Sequence, residues 1–485
     1  MSTSNAPSFK SLGIESPLLE ALEELGYETP TPIQQQTLEP LLAGRDVLGQ
    51  SETGSGKTAA FALPILQRLD VAAGGVRALI LCPTRELCAQ VAREVRKLGR
   101  HLHGLSVVTT TGGEPFAIQQ TSLERGVNIV VGTPGRTLDH LRRETLDVSG
   151  VQTMVLDEAD RMLDMGFEAD MLKILAELPT ERQSAFFSAT MPEVMESMSA
   201  RYQRDATRIV VDAHEPEGIK QSYVECGRNE RLSALYWALS HHKHERAIVF
   251  CNFKASVDEV TRSLHGDGVA VDNLHGDLDQ YQRDQVLSRF RNESLRVLVA
   301  TDVAGRGLDI DGLDLVVNYE LPFQGEAYMH RIGRTGRKGK SGVAVSIVPD
   351  GDKGKLQEAE AMVSARIERV TRTRTSTSMQ VLARDFARAP RMSTILISGG
   401  RKDKLRPGDI LGALTGAAGA LSGDDIGKIE IHPRLSYVAV ACAQSRKAAA
   451  GLNKGRIKKK RYRATLIGGG ITVATASHPG GKFRG

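Results

Sequence analysis

Short apolar runs of strand length alternate with amphipathic helical stretches through the first two thirds of the chain. The runs cover residues 78–82, 129–131, 153–156, 185–187, 247–251, 297–300 and 315–317. Short buried strands that are separated by helices predict parallel sheets with helices packed on both faces. The pattern therefore indicates an α/β architecture for this part of the chain.

Breaks in the pattern divide the 485 residues into several parts. A polar segment at 212–219 predicts a hinge between a first domain, residues 1–212, and a second, residues 220–370. Residues 371–391, rich in Thr, Ser and Arg, are predicted to be a linker. Residues 392–467 read as strand, helix, strand, strand, helix and strand, which is the order of an RNA-recognition fold. The Gly-rich residues 468–485 have little apolar content and are predicted to be disordered.

A glycine-containing loop follows the apolar segment 46–49 and precedes a helical pattern. Glycines in such a loop let backbone N–H groups surround a phosphate at the N-terminus of a helix. Lys57 is predicted to reach the β- and γ-phosphates of a nucleotide, and Thr58 to bind Mg²⁺. Ser51 stands where the strict pattern has glycine. The residues predicted to bind the phosphates are Ser51, Glu52, Thr53, Gly54, Ser55, Gly56, Lys57 and Thr58.

An acidic turn, residues 157–160, comes directly after the apolar strand 154–156. A carboxylate at the end of such a strand suits a metal ion beside the phosphate loop. We expect Asp157 to hold Mg²⁺ through its coordination shell, and Glu158 to orient and deprotonate the attacking water. The sequence therefore predicts hydrolysis of a nucleoside triphosphate.

Six motifs in order make the chain resemble the DEAD-box RNA helicases, and the resemblance spans roughly residues 9–370. The first-lobe motifs are residues 26–34, 51–58, 83–87, 133–136, 157–160 and 188–190. The resemblance implies two RecA-like lobes with parallel sheets, followed here by a small α+β domain. It also implies RNA-dependent hydrolysis of ATP with Mg²⁺ and local, non-processive opening of short duplexes.

The resemblance assigns roles around the nucleotide. It implies that Gln34 reads the adenine edge and that Tyr27 stacks on its face; a planar amide can pair with adenine N6 and N7. Phe9 matches the upstream aromatic of the family, with a buried packing role as the alternative. From the second lobe, Asp309 is implied to contact the ribose. Arg334 and Arg337 are implied to act on the γ-phosphate. Ser188 and Thr190 are implied to couple hydrolysis to RNA binding through hydrogen bonds to Asp160.

RNA contacts are expected along the sugar–phosphate backbone, because an enzyme that acts on many sequences does not depend on base edges. By resemblance, the track on the first lobe comprises Thr84, Arg85, Gly113, Thr133, Pro134, Gly135 and Arg136. On the second lobe it comprises Lys254, His275, Gly276, Arg283, Thr301 and Asp302. Several of these are Gly or Pro in loops, where backbone N–H groups can approach phosphates.

Positive charge is concentrated near the C-terminus. Residues 391–467 contain 16 Lys and Arg against 5 Asp and Glu, whereas the whole chain has a net charge of only +5. Such clustering indicates an anionic partner. Segments 398–414 and 425–432 resemble the C-terminal domain of the DbpA group of bacterial DEAD-box proteins. That resemblance implies binding of a hairpin in large-subunit ribosomal RNA and a role on pre-ribosomal particles in ribosome assembly.

The small domain lacks the aromatic residues with which an RNA-recognition sheet usually stacks bases. Strand residues 436–441 include only Tyr437. We therefore expect its RNA contacts to come from basic loops instead of the sheet. The candidate residues are Arg401, Lys402, Lys404, Arg406, Lys454, Arg456, Lys458, Lys459, Lys460 and Arg461.

Three other functions remain open at this point. A general RNA chaperone would act on mRNA and use the basic domain without specificity. An ATP-gated RNA clamp would hold RNA and need no turnover, although Glu158, Arg334 and Arg337 argue against it. A DNA helicase is disfavoured by the region around Gln34 and by the RNA-type third domain.

The sequence also bears on location and partners. It contains no apolar run of about eighteen residues or more, so we expect no membrane span. Its first thirty residues lack the features of a secretory signal. Five scattered cysteines suit a reducing compartment. A cytoplasmic location is expected, and no obligate protein partner is evident from the sequence.

Overall fold

The computed structural model describes residues 7–51, 55–211, 218–242, 244–302, 312–336, 341–363, 366–372, 379–387, 389–416 and 420–468. The described residues form two compact units, residues 7–211 and residues 218–468. We call the first unit lobe 1. The second unit contains two sheets: lobe 2 comprises its residues up to 387, and the third domain begins at 389.

Lobe 1 is built on a seven-stranded parallel sheet with the order β3-β4-β2-β5-β6-β1-β7. The strands are β1 Val47–Gln50, β2 Ala78–Leu81, β3 Val107–Thr110, β4 Ile129–Gly132, β5 Thr153–Leu156, β6 Gln183–Ser188 and β7 Thr207–Val210. The four strands that the sequence predicts here are confirmed within about two residues at either end.

Nine described helices pack on this sheet or connect its strands. They are α1 Leu18–Glu24, α2 Pro32–Leu42, α3 Lys57–Arg68, α4 Arg85–Leu98, α5 Phe116–Glu124, α6 Pro134–Arg142, α7 Ala159–Asp164, α8 Glu168–Glu177 and α9 Glu193–Tyr202. Side chains on β6 alternate between two apolar cores. Phe187 packs with Phe61 on one face, whereas Phe186 and Met154 lie in the core on the other. Because both faces are covered, central strands such as β2 and β4 are continuous apolar runs instead of alternating ones.

Lobe 2 has a second seven-stranded parallel sheet with the order β10-β11-β9-β12-β13-β8-β14. Its strands are β8 Ile219–Cys226, β9 Ala247–Cys251, β10 Val271–Leu274, β11 Val297–Thr301, β12 Leu315–Asn318, β13 Gly342–Pro349 and β14 Glu368–Arg369. Its described helices are α10 Arg231–His241, α11 Lys254–Gly266, α12 Gln280–Arg291, α13 Gly325–Ile332, α14 Lys353–Met362 and α15 Met379–Phe386. The predicted α/β architecture is confirmed for both lobes.

Helix α15 lies within the segment 371–391 that the sequence predicts to be a linker. Its Ala383 and Phe386 are buried in the lobe 2 core, where the Phe386 ring meets Tyr236 edge to face at 5.9 Å between centroids. Leu382, Ala383 and Phe386 have helical spacing and supply an apolar face. Part of the predicted linker is thus packed into lobe 2.

The third domain has a four-stranded antiparallel sheet with the order β16-β17-β15-β18 and two helices on one face. Its elements are β15 Met392–Ile397, α16 Pro407–Thr415, β16 Ile426–Ile431, β17 Ser436–Ala441, α17 Ser445–Lys454 and β18 Ala464–Ile467. The predicted order of strands and helices is confirmed. Ile395, Val438 and Leu452 lie in the core between sheet and helices.

The other face of this sheet packs against α12 of lobe 2. Glu430 on β16 accepts two hydrogen bonds of 2.9 Å from the guanidinium of Arg291 and one of 3.0 Å from Ser288. The hydroxyl of Thr394 on β15 lies 2.7 Å from that of Ser294. Lobe 2 and the third domain therefore share a polar, largely buried interface.

Several expectations fall on residues that the structure does not describe. Residues 212–217, most of the predicted hinge, and residues 469–485 of the predicted disordered tail lie outside the described residues. In the described part of the chain, no helix is both long and apolar enough to span a membrane.

Candidate nucleotide and RNA sites

The site residues of lobe 1 lie at the carboxyl edge of its sheet, where ligands bind in open α/β sheets. The phosphate loop, the acidic turn and the coupling residues 188–190 lie at the ends of β1, β5 and β6, which are neighbours in the sheet. The residues predicted for RNA follow β2, β3 and β4, which are also neighbours. Because β2 lies beside β5, the two sets occupy adjacent halves of one edge. Sheet order therefore brings together residues that are far apart in sequence.

The phosphate loop depends on glycine at position 56. Gly56 has φ +95°, and a Cβ there would lie 2.5 Å from the side-chain nitrogen of Gln34 and 2.9 Å from the hydroxyl of Thr31. Only glycine fits both the backbone conformation and the space. The buried Lys57 Nζ donates a 2.9 Å hydrogen bond to the carbonyl of Ser51 across the loop. Glu52, Thr53 and Gly54 lie outside the described residues.

Gln34 joins the start of α2 to the phosphate loop. Its Nε2 donates to the carbonyl of Gly56 at 3.0 Å, and its Oε1 accepts from the backbone N–H of Thr31 at 2.9 Å. A side-chain amide has two donor hydrogens and two acceptor lone pairs, so each atom can form one more hydrogen bond. The geometry is compatible with the predicted contact to adenine. It adds a structural role that the sequence does not indicate.

Tyr27 and Phe9 pack against each other beside α4. The centroids of their rings lie 6.2 Å apart at an interplanar angle of 70°. The Tyr27 hydroxyl donates a 2.7 Å hydrogen bond to Glu94, and burial together with that carboxylate raises the pKa of Tyr27 above its usual value. Phe9 is buried in the lobe 1 core, so the structure favours its packing role.

Asp157 offers a buried acceptor for a cation. Its side chain is 2% exposed, and among the described residues its Oδ1 has no hydrogen-bond partner. Burial raises the pKa of Asp157 to about 7, against the opposing positive charge of Lys57. An unsatisfied buried carboxylate oxygen is costly unless a ligand completes its coordination. Mg²⁺ is commonly bound by one or two carboxylates together with substrate phosphates, so the predicted pair of Asp157 and Thr58 fits this ion.

Glu158 is held by Arg161, a residue to which no sequence motif assigns a role. Glu158 has φ +53°, a left-handed conformation that non-glycine residues seldom adopt, at the start of α7. Its Oε2 lies 2.5 Å from Nη1 of Arg161, and both side chains are less than a tenth exposed. Residues that are three apart in sequence are neighbours on a helix surface, so the spacing of Glu158 and Arg161 could have predicted this ion pair. The ion pair fixes one oxygen of the predicted general base.

Asp160 forms the contact predicted for the coupling element. Its Oδ2 accepts hydrogen bonds from the backbone N–H groups of Ala189 and Thr190, both at 3.0 Å, and from the Thr190 hydroxyl at 3.2 Å. The Asp160 N–H donates to the hydroxyl of Ser188 at 3.2 Å. The backbone N–H of Ser51 donates to the Ser188 carbonyl at 3.0 Å. Hydrogen bonds thus connect the acidic turn, residues 188–190 and the phosphate loop.

The predicted RNA residues of lobe 1 cluster beside β2, β3 and β4. The guanidinium of Arg85 lies so close to Gly113, which has φ +78°, that a Cβ there would overlap it. Arg136 Nη1 donates to the carbonyl of Glu114 and to Gln119 Oε1, both at 3.0 Å. Helix N-termini present unpaired backbone N–H groups to anions. Thr84 and Thr133 are the N-terminal caps of α4 and α6, followed in α6 by Pro134 and Gly135.

The predicted RNA residues of lobe 2 follow β10, β11 and β9, which are neighbours in its sheet. Lys254 begins α11 and forms an ion pair with Asp277. His275 is buried, and its Nδ1 accepts a 3.3 Å hydrogen bond from the Asp277 N–H. Thr301 ends β11, and the partly exposed Arg283 lies in the first turn of α12. Lobe 2 thus repeats the arrangement of lobe 1, with candidate RNA contacts at a carboxyl edge.

Arg331 holds this edge together through hydrogen bonds that its sequence motif does not predict. It is only 1% exposed, and its guanidinium donates to both carboxylate oxygens of Asp302 at 2.6 and 2.7 Å. It also donates to Asn252 at 2.8 Å and to the carbonyl of Glu320 at 2.5 Å. Arg334, two residues beyond the last residue of α13, is likewise buried. Arg337 and Asp309, predicted to contact the nucleotide, lie outside the described residues.

The third domain presents its basic residues on two adjoining loops. The exposed candidates are Arg401, Lys402, Lys404, Arg406, Lys454, Arg456, Lys458, Lys459, Lys460 and Arg461. Lys458 Nζ donates a 3.0 Å hydrogen bond to the carbonyl of Lys404, which joins the loops. Tyr437 is fully buried, on the sheet face towards α12. Sheet stacking is therefore blocked at this residue, in agreement with the expectation that basic loops bind the RNA.

Comparisons with known proteins agree with this geometry. Residues 31–198 match the DEAD/DEAH box helicase family, residues 228–339 the helicase conserved C-terminal domain, and residues 394–466 the DbpA RNA binding domain. The ATP-dependent RNA helicase DbpA of Escherichia coli (strain K12) is 45% identical over 462 residues, which is 95% of this chain and 99% of the relative. The chain belongs to the DbpA-like DEAD-box RNA helicases.

Other relatives match the helicase over a smaller share of its length. DEAD-box ATP-dependent RNA helicase CshA of Bacillus cereus (strain ATCC 10987 / NRS 248) is 42% identical over 75% of this chain and 69% of the relative. A solved structure, S. cerevisiae Dbp5 bound to RNA and ADP BeF3, aligns with a TM-score of 0.69 and 30% identity, over 78% of this chain and 99% of that one. This helicase is therefore an ATP-hydrolysing enzyme with two RecA-like lobes and an RNA-binding third domain.

Proposed function

We propose that this helicase uses ATP to open short duplexes in large-subunit ribosomal RNA during ribosome assembly, and that its third domain selects a hairpin there. The observation that carries the proposal is the pair of exposed basic loops joined by the contact of Lys458 with the carbonyl of Lys404. One face of the sheet of the same domain is packed on α12, so we assign the RNA to the loops and not to that face. The substrate would be met on pre-ribosomal particles in the cytoplasm.

Hydrolysis is assigned to residues at the carboxyl edge of lobe 1. Lys57 would exchange its hydrogen bond with the Ser51 carbonyl for the β- and γ-phosphates. Glu158, oriented by Arg161 through Oε2, would accept a proton from the attacking water. When bound, Mg²⁺ would be held by Asp157 and Thr58 and would neutralise phosphate charge.

Lobe 2 is proposed to contribute to the same reaction. Negative charge spreads over the γ-phosphate oxygens in the transition state, and an arginine that meets this charge raises the rate by about 10³–10⁵. Arg334 and Arg337 are assigned this role, and Asp309 is assigned to the ribose. Asp160 is proposed to couple hydrolysis to RNA binding, because its hydrogen bonds link the acidic turn to Thr190.

RNA is proposed to lie along the carboxyl edges of both sheets through its sugar–phosphate backbone. Backbone N–H groups and arginines there contact phosphates without reading sequence. Selectivity must then come from the third domain. This division of labour separates the proposal from a general RNA chaperone, in which the basic domain would add affinity without preference.

The test compares ATP hydrolysis in the presence of two RNAs. A large-subunit ribosomal RNA fragment that contains the hairpin is expected to stimulate the ATPase far more than poly-U does at equal nucleotide concentration and salt. Equal stimulation would contradict hairpin selection and favour the chaperone. Glu158→Gln separates hydrolysis from an ATP-gated clamp: turnover should fall close to background, whereas unchanged turnover would show that Glu158 does no chemistry.

A further inference from the structure

Two exposed phenylalanines lie together at the carboxyl edge of the lobe 2 sheet. Phe253 and Phe323 are 55% and 61% exposed, the highest values for large apolar side chains among the described residues. Their ring centroids are 6.0 Å apart, with an interplanar angle of 71°. Exposed aromatic pairs are uncommon on a protein surface and indicate a binding site.

The loops that carry the two rings are tied together by Asn252. Its backbone N–H donates to Glu320 Oε2 at 2.6 Å, and its Nδ2 donates to the Leu321 carbonyl at 2.9 Å. Its Oδ1 accepts the 2.8 Å hydrogen bond from the buried Arg331. The rings therefore stand on a hydrogen-bonded base that fixes their relative position.

Sheet order places this aromatic pair next to the candidate RNA contacts. Residues His275, Thr301 and Lys254 lie at the ends of β10, β11 and β9, in the order in which these strands stand in the sheet. Phe253 follows β9 and directly precedes Lys254, and Phe323 lies in the loop after β12, the next strand. The pair thus continues the same edge by one strand.

Positive charge accompanies the aromatic rings. Lys355 Nζ lies 4.9 Å from the centroid of the Phe323 ring, while also forming a 3.3 Å ion pair with Asp352. Lys254 stands at the N-terminus of α11, where backbone N–H groups favour an anion. Aromatic faces beside cations are typical of sites that bind single-stranded nucleic acid through stacked bases and phosphates.

We propose that Phe253 and Phe323 form a stacking site for one unpaired RNA base, beyond the backbone contacts of lobe 2. The inference rests on the proposed function, because it assumes that Lys254, His275 and Thr301 lie along the bound strand. Any base fits, since every base has a π-face. The site holds the strand after it is separated and does not select a sequence.

The test measures binding of a single-stranded uridine oligonucleotide by fluorescence anisotropy, with a non-hydrolysable ATP analogue present. Replacing both residues in F253A/F323A should weaken RNA binding by roughly five- to a hundredfold. F253Y/F323Y keeps aromatic rings and should bind within about twofold of wild type, whereas F253L/F323L keeps only apolar bulk and should resemble the alanine variant. Val381→Ala, at an exposed apolar position of α15, is the control for loss of surface area.

Oligonucleotides that lack a single base show which position of the RNA strand stacks on Phe253 and Phe323. Wild type should lose affinity when one particular base is missing, and F253A/F323A should be insensitive to that deletion. Equal RNA affinities of wild type and the alanine variant would overturn the stacking site. The exposed aromatic pair would then bind a partner other than RNA. A wild-type protein that binds no single-stranded RNA would instead contradict the proposed function itself, so the two failures are distinguishable.

Discussion

At the scale of single residues, the acidic turn shows how three carboxylates in one short segment receive three different surroundings. Asp157 keeps a buried oxygen without a hydrogen-bond partner among the described residues, Glu158 is paired with Arg161, and Asp160 is satisfied by residues 188–190. The left-handed backbone of Glu158 turns successive side chains in different directions. The motif and the family resemblance predict the residue types and the contacts of Asp160, but only the fold shows that Arg161 pairs with Glu158.

Arg161 is expected to be a positioning residue for Glu158. Arg161→Met should lower kcat of the RNA-stimulated ATPase by about 10- to 100-fold, as is usual when a group that orients a functional side chain is removed. KM for ATP should change much less, because Arg161 is assigned no nucleotide contact. Arg161→Lys should recover part of the activity. Steady-state ATPase measurements check both variants.

A double-mutant cycle distinguishes positioning from a structural effect. If Arg161 acts through Glu158, Arg161→Met should have little further effect on turnover in a Glu158→Gln background. Additive losses would show that Arg161 stabilises the lobe independently of the general base.

His140 should make the stability of lobe 1 depend on pH. Burial lowers the pKa of His140 to about 4, and its ring lies between Gln119 and Thr145 with Phe116 stacked on its face. Between about pH 6.5 and 4 the unfolded chain binds a proton that native His140 does not, so the free energy of unfolding should fall as pH falls through this range. Urea unfolding followed at several pH values measures the slope.

The matched variant is His140→Gln, which keeps hydrogen-bonding groups and removes the titration. Its stability should decrease less steeply over the same pH range. Identical slopes for the two proteins would assign the acid sensitivity to other groups.

At the scale of elements, the strands and their order along the chain were predictable, whereas the contacts between distant elements were not. Apolar runs such as Ala247–Cys251 indicate β9 directly, because a strand covered on both faces has no polar positions. Nothing local indicates that Tyr437 is buried against lobe 2, or that Phe386 joins the core of that lobe. Such pairings depend on surfaces that meet only after each sheet has formed.

We expect the interface between α12 and the third-domain sheet to depend on Glu430, which accepts hydrogen bonds from Ser288 and Arg291. Burial alone would raise the pKa of Glu430, but His432 and the guanidinium of Arg291 hold that pKa well below its usual range. Glu430→Gln should therefore destabilise the interface by roughly 2–3 kcal/mol, since it weakens three hydrogen bonds and leaves Arg291 without its charge partner. Differential scanning calorimetry should then resolve an earlier transition for the third domain.

Asp424→Asn removes an exposed carboxylate from the same domain and serves as the control. It should leave the transition in place. A Glu430→Gln protein that unfolds like wild type would show that apolar packing, not the ion pair, holds the two parts together.

At the scale of the whole molecule, positive charge is concentrated in the part of the chain to which we attribute the choice of RNA. The third domain carries 16 Lys and Arg against 5 Asp and Glu in residues 391–467. The RNA preference that we propose for this domain cannot be tested cleanly by deleting it, because deletion would expose α12 and the side chains that contact Glu430 and Thr394. Substitutions in the basic loops leave this interface intact and are the better test.

The most direct measurement is the ratio of ATPase stimulation by the hairpin-bearing ribosomal RNA fragment to stimulation by poly-U. This ratio should be well above one for wild type and fall towards one for R401A/K402A/K404A. The reason is that we assign hairpin binding to the basic loops of the third domain and not to the carboxyl edges of the two lobe sheets. R446A/K447A, which removes exposed charges from α17, should keep the wild-type ratio. A wild-type ratio near one, or a ratio unchanged by the loop substitutions, would contradict selection of a ribosomal RNA hairpin by the third domain.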